Sequence, residues 1–179
     1  KKLKYDLELL QNTFATSFEQ VTHRVTCLND PNLPGVPFHF LRVDVAGNIS
    51  KRFSLSGIEI PRYGGACPRW NIYSAFTTPG KIHAAVSKMS NGEKYVCIAK
   101  TVEKGVGRFG KSKSMLSIGL GCEAKHAKDF IYTENLNVND KKTEIPIGVS
   151  CRTCDRLDCS QRAFPPLHKK FDVDINSRG

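Results

Sequence analysis

The chain has 179 residues, 40% of them apolar, which is enough for one domain with a real core, and a formal net charge of +10. A surplus of that size points to an anionic partner, nucleic acid or a phosphate-bearing small molecule, or to a solvated basic surface. No apolar run approaches a membrane span and nothing at the N-terminal end resembles a signal peptide; with reduced cysteines the expected compartment is the cytoplasm.

Leu3, Leu7 and Leu10, with Tyr5 and Phe14, are spaced for one apolar helical face, and residues 13–16 break the pattern. Ser17-Phe18-Glu19-Gln20 matches a capping box that opens a second helix through Val21, Val25 and Leu28. Two short helices with a tight link match either a helix-turn-helix or a packing and oligomerising pair. Only His23 and Arg24 on the second helix suit base reading, so residues 1–30 are taken as the packing pair.

After a linker over 31–37 the period becomes extended. Strands are expected over 38–45 and 49–55 around Ala46-Gly47-Asn48, with a short third piece at 58–60, together a meander. In Arg62-Tyr63-Gly64-Gly65-Ala66-Cys67-Pro68-Arg69-Trp70, Pro68 suits the first position of a helix whose N–H groups, beside Arg62 and Arg69, face an anion. Cys67 reads either as a small buried residue or as a thiol activated by the helix end. The helix continues through Trp70, Ile72, Tyr73 and Phe76 to Thr78-Pro79-Gly80, its aromatic face suited to the core or to a ligand pocket.

Residues 82–89 and 95–102 alternate as strands about Ser90-Asn91-Gly92-Glu93, a hairpin turn with Asn-Gly at its centre. A mobile loop is expected over 103–113, a last strand over 114–120, and a helix from Gly121-Cys122 to about Tyr132. That helix places His126 one turn from Cys122, as a ligand, a supporting donor or a surface histidine. Residues 133–144 are polar and irregular, Arg162-Ala163-Phe164-Pro165-Pro166 extended, and the tail frayed.

Cys151, Cys154 and Cys159 form a C-x2-C-x4-C loop among Arg152, Asp155, Arg156, Asp158 and Arg162, and Cys122 is the expected fourth thiol. So polar a loop is not a fold core, and seven cysteines are an odd number for a disulfide framework. Three thiolates on one loop suit zinc or an iron–sulfur centre, and spacing alone leaves the two nearly even. The flanking arginines favour the cluster, whose net negative charge they offset. No nucleophile and base constellation is recognisable, so an enzyme is not expected. A zinc-held nucleic-acid module is the other reading.

Together these segments resemble the C-terminal ligand-binding domain of bacterial short-chain fatty acyl-CoA transcriptional regulators. The likeness rests on Val43-Asp44-Val45-Ala46-Gly47-Asn48-Ile49-Ser50-Lys51-Arg52, on Gly64-Gly65-Ala66-Cys67-Pro68-Arg69-Trp70, on Leu120-Gly121-Cys122, and on the block from Ile147 through the cysteine loop to Pro166. The resemblance implies an α+β fold, a PAS/GAF-like antiparallel sheet flanked by helices over 31–132, with the cysteine-rich cluster segment and tail over 133–179. It also implies a [4Fe–4S] cluster on Cys122, Cys151, Cys154 and Cys159 and a coenzyme A or short-chain acyl-CoA ligand. A homodimer or homotetramer is expected, with DNA bound through an N-terminal helix-turn-helix outside this chain. Phosphates need cations and the pantetheine arm an apolar slot, so Arg62, Gly64, Gly65, Cys67, Arg69 and Trp70, joined by Arg152, Arg156 and Arg162, are the expected ligand contacts.

Overall fold

The computed structural model describes residues 3–105, 109–110 and 113–168. The loop expected over 103–113 falls partly, and the tail beyond 168 wholly, outside these residues.

Helix α1 (Leu7–Thr13) begins where the Asp6 carboxylate accepts from the Leu9 N–H, and α2 (Phe18–Thr26) opens with the complete Ser17/Gln20 capping box. The linker holds a minimal ladder of β1 (Asn29–Asp30) and β2 (Leu33–Pro34). The main sheet follows, built from β3 (His39–Asp44), β4 (Ile49–Ser54), β5 (His83–Lys88), β6 (Lys94–Lys104), β7 (Ser114–Glu123) and β8 (Glu144–Pro146), in the order β4-β3-β7-β6-β5-β8. All its pairings are antiparallel except β8 on β5. The architecture is therefore α+β with a mixed sheet. Pro146 hides β8 from a sequence reading, but an edge strand tolerates a residue that cannot donate. The β5–β6 turn carries Gly92 at φ 91°, which the Asn-Gly turn requires.

Side-chain alternation divides the core between the two faces of this sheet. Phe38, Phe40, Val96, Ile98, Ile118, Leu120 and Cys122 pack beneath Leu7, Phe18, Val21 and Val25 of the paired helices. Leu7 of α1 and Phe18, Val21 and Val25 of α2 thus pack toward the sheet, which suits packing better than base reading. Leu41, Val43, Tyr95, Cys97 and Ala99 face the other way, against Trp70, Ile72, Ala75 and Ile147. Each fully buried large side chain contributes roughly 1.5–3 kcal/mol.

Several expected elements are corrected. The piece at 58–60 is not a strand; Ile58 is buried on the second face while the chain leaves the sheet. The helix expected at Pro68 begins at Asn71, as α3 (Asn71–Ser74), and runs into a 3-10 turn, Ala75–Thr77. Strand β7 overruns its expected end, so Gly121 and Cys122 lie inside it. The helix expected to follow is two 3-10 turns, Ala124–Asp129 and Ile131–Thr133.

Candidate functional site

The site forms where the segment leading into α3 meets the chain leaving β8. Residues 67–70 make a tight turn closed by the Trp70 N–H donating to the Cys67 carbonyl at 3.0 Å, with Pro68 supplying the fixed φ its second position favours. The Ile147 N–H holds to the Lys88 carbonyl at 2.9 Å. Beyond it, the carbonyl of Gly148 accepts from the indole N–H of Trp70 and that of Val149 from the Cys67 N–H, each at 3.0 Å. The two segments are stitched by consecutive carbonyls.

The cysteine loop then folds around one side chain. The Arg162 guanidinium donates through Nη1 to the carbonyls of Cys151 and Phe164 at 2.9 and 3.1 Å. Through Nη2 it donates to the carbonyls of Cys154, at 3.1 Å, and Arg156. Arg156 reaches back to the Ile147 carbonyl at 3.1 Å, and Arg152 stacks on the Phe164 ring at 4.9 Å. Five rigid donors suit this role, because a loop with little regular structure has many carbonyls to satisfy.

The result is one cavity lined by Cys67, Cys151, Cys154 and Cys159 together with Pro68, Arg69, Arg156, Gln161 and Arg162. Cys67 is buried and the three loop thiols are half-buried. Burial pushes the Cys67 thiol pKa up; the N–H groups of Gly148 and Arg69 pull it down, and charge on Cys151 and Cys154 raises it further. The Ala163 N–H points at Cys151 Sγ from 3.4 Å. A β-carbon at Gly148 would stand 3.1 Å from Cys154 Sγ, so only glycine lets that thiol sit here undisturbed.

The donor set is soft and all sulfur. Two buried guanidine nitrogens on the cavity wall, Arg69 Nε and Arg162 Nε, have no hydrogen-bond partner among the described residues. Buried donors on cationic groups call for an anion. As the side chains stand, no group of three or more His, Cys, Asp or Glu among the described residues could hold a metal ion.

Residues 27–179 match the family described as short-chain fatty acyl coenzyme A regulator, C-terminal. The chain belongs to that family. It is 43% identical over 176 residues to the HTH-type transcriptional regulator RamB of Mycobacterium tuberculosis, covering 97% of this chain and 37% of RamB. It is 44% identical over 176 residues to the propionyl-CoA carboxylase regulator of Cereibacter sphaeroides, covering 98% and 38%, and 42% identical over 178 residues to PrpR of M. tuberculosis, covering 99% and 36%. A solved M. tuberculosis transcriptional regulator superposes with a TM-score of 0.92 at 39% identity, over 99% of this chain and 54% of that one. The chain thus spans a little over a third of the relatives' length, and these relatives are regulators rather than enzymes.

Within this family domain, the expected site residues divide. Cys151, Cys154 and Cys159 are together. Cys122 is not with them: it is fully buried in β7, on the helix-covered face of the sheet, while the loop lies against the other. The overrun of β7 is the cause, since it turns residue 122 toward α1 and α2. Cys67 lines the cavity with the three loop thiols instead, and the signal available was that it too lies in a segment carrying the resemblance. His126 sits in a 3-10 turn beside Tyr5, Leu28 and Leu55, its helical spacing from Cys122 lost.

The expected ligand contacts do not gather in one open site. The N–H of Ala66 donates to the Tyr73 hydroxyl at 3.1 Å and that of Cys67 to the Val149 carbonyl, so these two groups are not open to phosphate. Cys67 and Trp70 face inward, and Arg156 and Arg162 donate to loop carbonyls. Arg62, Gly64 and Gly65 are exposed to solvent. An open groove of about 630 Å3 lies elsewhere, lined by Glu19, His23, Arg24, Cys27, Lys51 and Lys104, with the Glu19 carboxylate paired to both lysines. It shares Gln20 and Arg24 with an apolar groove of about 570 Å3 formed by Leu10, Phe14, Val21, Val25 and Leu28. No helix among the described residues is long and apolar enough to cross a membrane.

Proposed function

We propose that this domain is the sensory part of a cytoplasmic transcriptional regulator of short-chain fatty acyl-CoA metabolism, and that it carries a [4Fe–4S] cluster on Cys67, Cys151, Cys154 and Cys159. The observation that carries the reading is the convergence of four thiols, from segments some eighty residues apart, beside two buried cationic donors without partners. Cys67 replaces Cys122 in the ligand set. When bound, the cluster cross-links the α3 approach to the C-terminal loop, and the free energy of the iron–thiolate bonds becomes folding free energy of that loop. The family description and the names of the relatives support coenzyme A thioesters as the effector and DNA binding by the remainder of the regulator.

On this chain, Arg24 and the two lysines that pair with Glu19 are the cations this groove offers to phosphates, and the adjoining apolar groove suits an acyl-pantetheine arm. Iron and acid-labile sulfide assays with a visible spectrum on anaerobically purified protein test the cluster. Brown protein with about four irons per chain supports it, and colourless protein with one zinc would establish the zinc-held module instead. Calorimetric titration of propionyl-CoA tests the ligand. Binding by the wild type that weakens in Lys51→Glu and Lys104→Glu supports the groove, and binding only by a full-length relative moves the ligand site to the rest of the regulator.

A further inference from the structure

We propose that Arg69 is the charge partner of the centre held by the four thiols and sets its reduction potential, with Arg162 as the fixed second cation. The inference rests on the iron–sulfur reading above and adds to it the regulation of the same site.

Both arginines line the thiol cavity, and both bury an Nε that has no partner among the described residues. Their situations differ. Arg162 has both terminal nitrogens engaged by the carbonyls of Cys151, Cys154, Arg156 and Phe164, so its plane is locked and its Nε–H direction is set by the loop fold. Removing it would dismantle the loop. Arg69 makes no side-chain hydrogen bond or ion pair among the described residues, yet its Nε is shut away from water beside Cys67. Its backbone N–H also acts on the Cys67 thiol. No bond among the described residues calls for a guanidinium there, whereas an anion held in the cavity would.

A sulfur-ligated iron cluster gains one negative charge when it accepts an electron, with no bond to its thiolates made or broken. A cation a few ångströms away, behind a low-dielectric wall, stabilises the reduced form more than the oxidised one and so raises the potential. Hydrogen bonds to cluster sulfur act in the same direction.

The test uses the full chain, purified anaerobically with its iron and titrated with dithionite in the presence of redox mediators. The electron comes from dithionite, and the paramagnetic resonance signal of the reduced cluster is followed. Arg69→Gln is expected to keep its iron and sulfide while the equilibrium for reduction falls at least tenfold, a downward shift of about 59 mV for one electron. Arg69→Lys, which keeps a cation, is expected to shift less. Arg62→Gln makes the same charge change at an exposed position off the cavity wall and is expected to leave the potential in place. An Arg69→Gln shift no larger than that of Arg62→Gln overturns the proposal. Loss of iron from both Arg69 variants with the fold intact overturns it too, making Arg69 a holding residue. Wild-type protein without iron overturns the underlying reading and this inference with it, whereas an iron-loaded wild type with an unmoved Arg69→Gln overturns this inference alone.

Discussion

The indole N–H of Trp70 donates to the carbonyl of Gly148 across 3.0 Å, joining two residues 78 positions apart at the base of the cysteine loop. Gly148 also stands close to Cys154, since a β-carbon built on it would lie 3.1 Å from that thiol. Trp70→Phe keeps most of the buried area but leaves the Gly148 carbonyl without its donor. An unsatisfied buried carbonyl costs about 1–3 kcal/mol. The variant is expected to unfold at correspondingly lower urea concentration and to hold less iron per chain, measured on the same preparation.

Gly121 makes a separate test of the second core face. A β-carbon there would lie 2.5 Å from the His39 ring and 2.8 Å from Cys97 Sγ, and neither can retreat from a packed interior. Gly121→Ala is therefore expected to lose about 1–3 kcal/mol by overpacking. Denaturant unfolding checks it, and stability equal to wild type would mean that the His39–Cys97 contact is looser than it stands.

Much of the fold was legible locally. The Ser17/Gln20 box placed the start of α2, Asn91-Gly92 placed the β5–β6 turn, and the alternating runs located β3, β4, β5 and β6 to within a few residues. What failed was information held at a distance. Gly121 reads as the end of the last strand, yet it sits inside β7 because His39 and Cys97 occupy the space its side chain would need. From that misreading followed the helix at Cys122 and the expectation that its thiol joins the loop, whereas Cys67 is the thiol that lines the cavity. Pro68 likewise serves a turn rather than a helix start, which no local rule separates. The three-cysteine loop itself was plain from spacing, whereas its partnership with Cys67 depends on pairing between carbonyls 148–149 and the turn at 67–70.

Two buried groups give the domain a defined acid sensitivity. His39 is fully enclosed, sharing a hydrogen bond of 2.8 Å with Ser56, and burial pushes its pKa down to about 3. For Glu19, burial pushes up, but Lys104, Lys51 and Arg42 outweigh it and hold the carboxyl at about 2. Both folded values lie below the unfolded ones, so each contribution is complete above the unfolded pKa and is lost as pH falls. The His39 loss runs from about pH 6.5 toward 3, and the Glu19 loss from about pH 4.5 toward 2. Unfolding free energies measured at stepped pH are expected to fall through both windows. His39→Gln should flatten the upper window and Glu19→Gln the lower. Glu19→Gln should also cost on the order of 1–3 kcal/mol at neutral pH, since Arg42 at 2.8 Å loses its buried partner.

The choice of fourth thiol is decided by comparing Cys67→Ala with Cys122→Ala. Cys67 lies 6% exposed on the cavity wall with the three loop cysteines, its N–H held by Val149, so truncation removes one corner of the thiol set while the stitching of the two segments stays. Cys122 is 0% exposed among Phe38, Val96 and Phe130 under the paired helices, and its thiol pKa is raised by burial above all, which disfavours the thiolate that iron requires. Cys67→Ala is therefore expected to lose most of its iron and its visible absorbance with little change in far-ultraviolet circular dichroism. Cys122→Ala is expected to keep its iron and to lose about 1 kcal/mol for the small cavity. The reverse pattern, iron kept in Cys67→Ala and lost in Cys122→Ala, would require the C-terminal loop to cross to the opposite face of the sheet, and the stitching by Trp70 and Cys67 would then have to break.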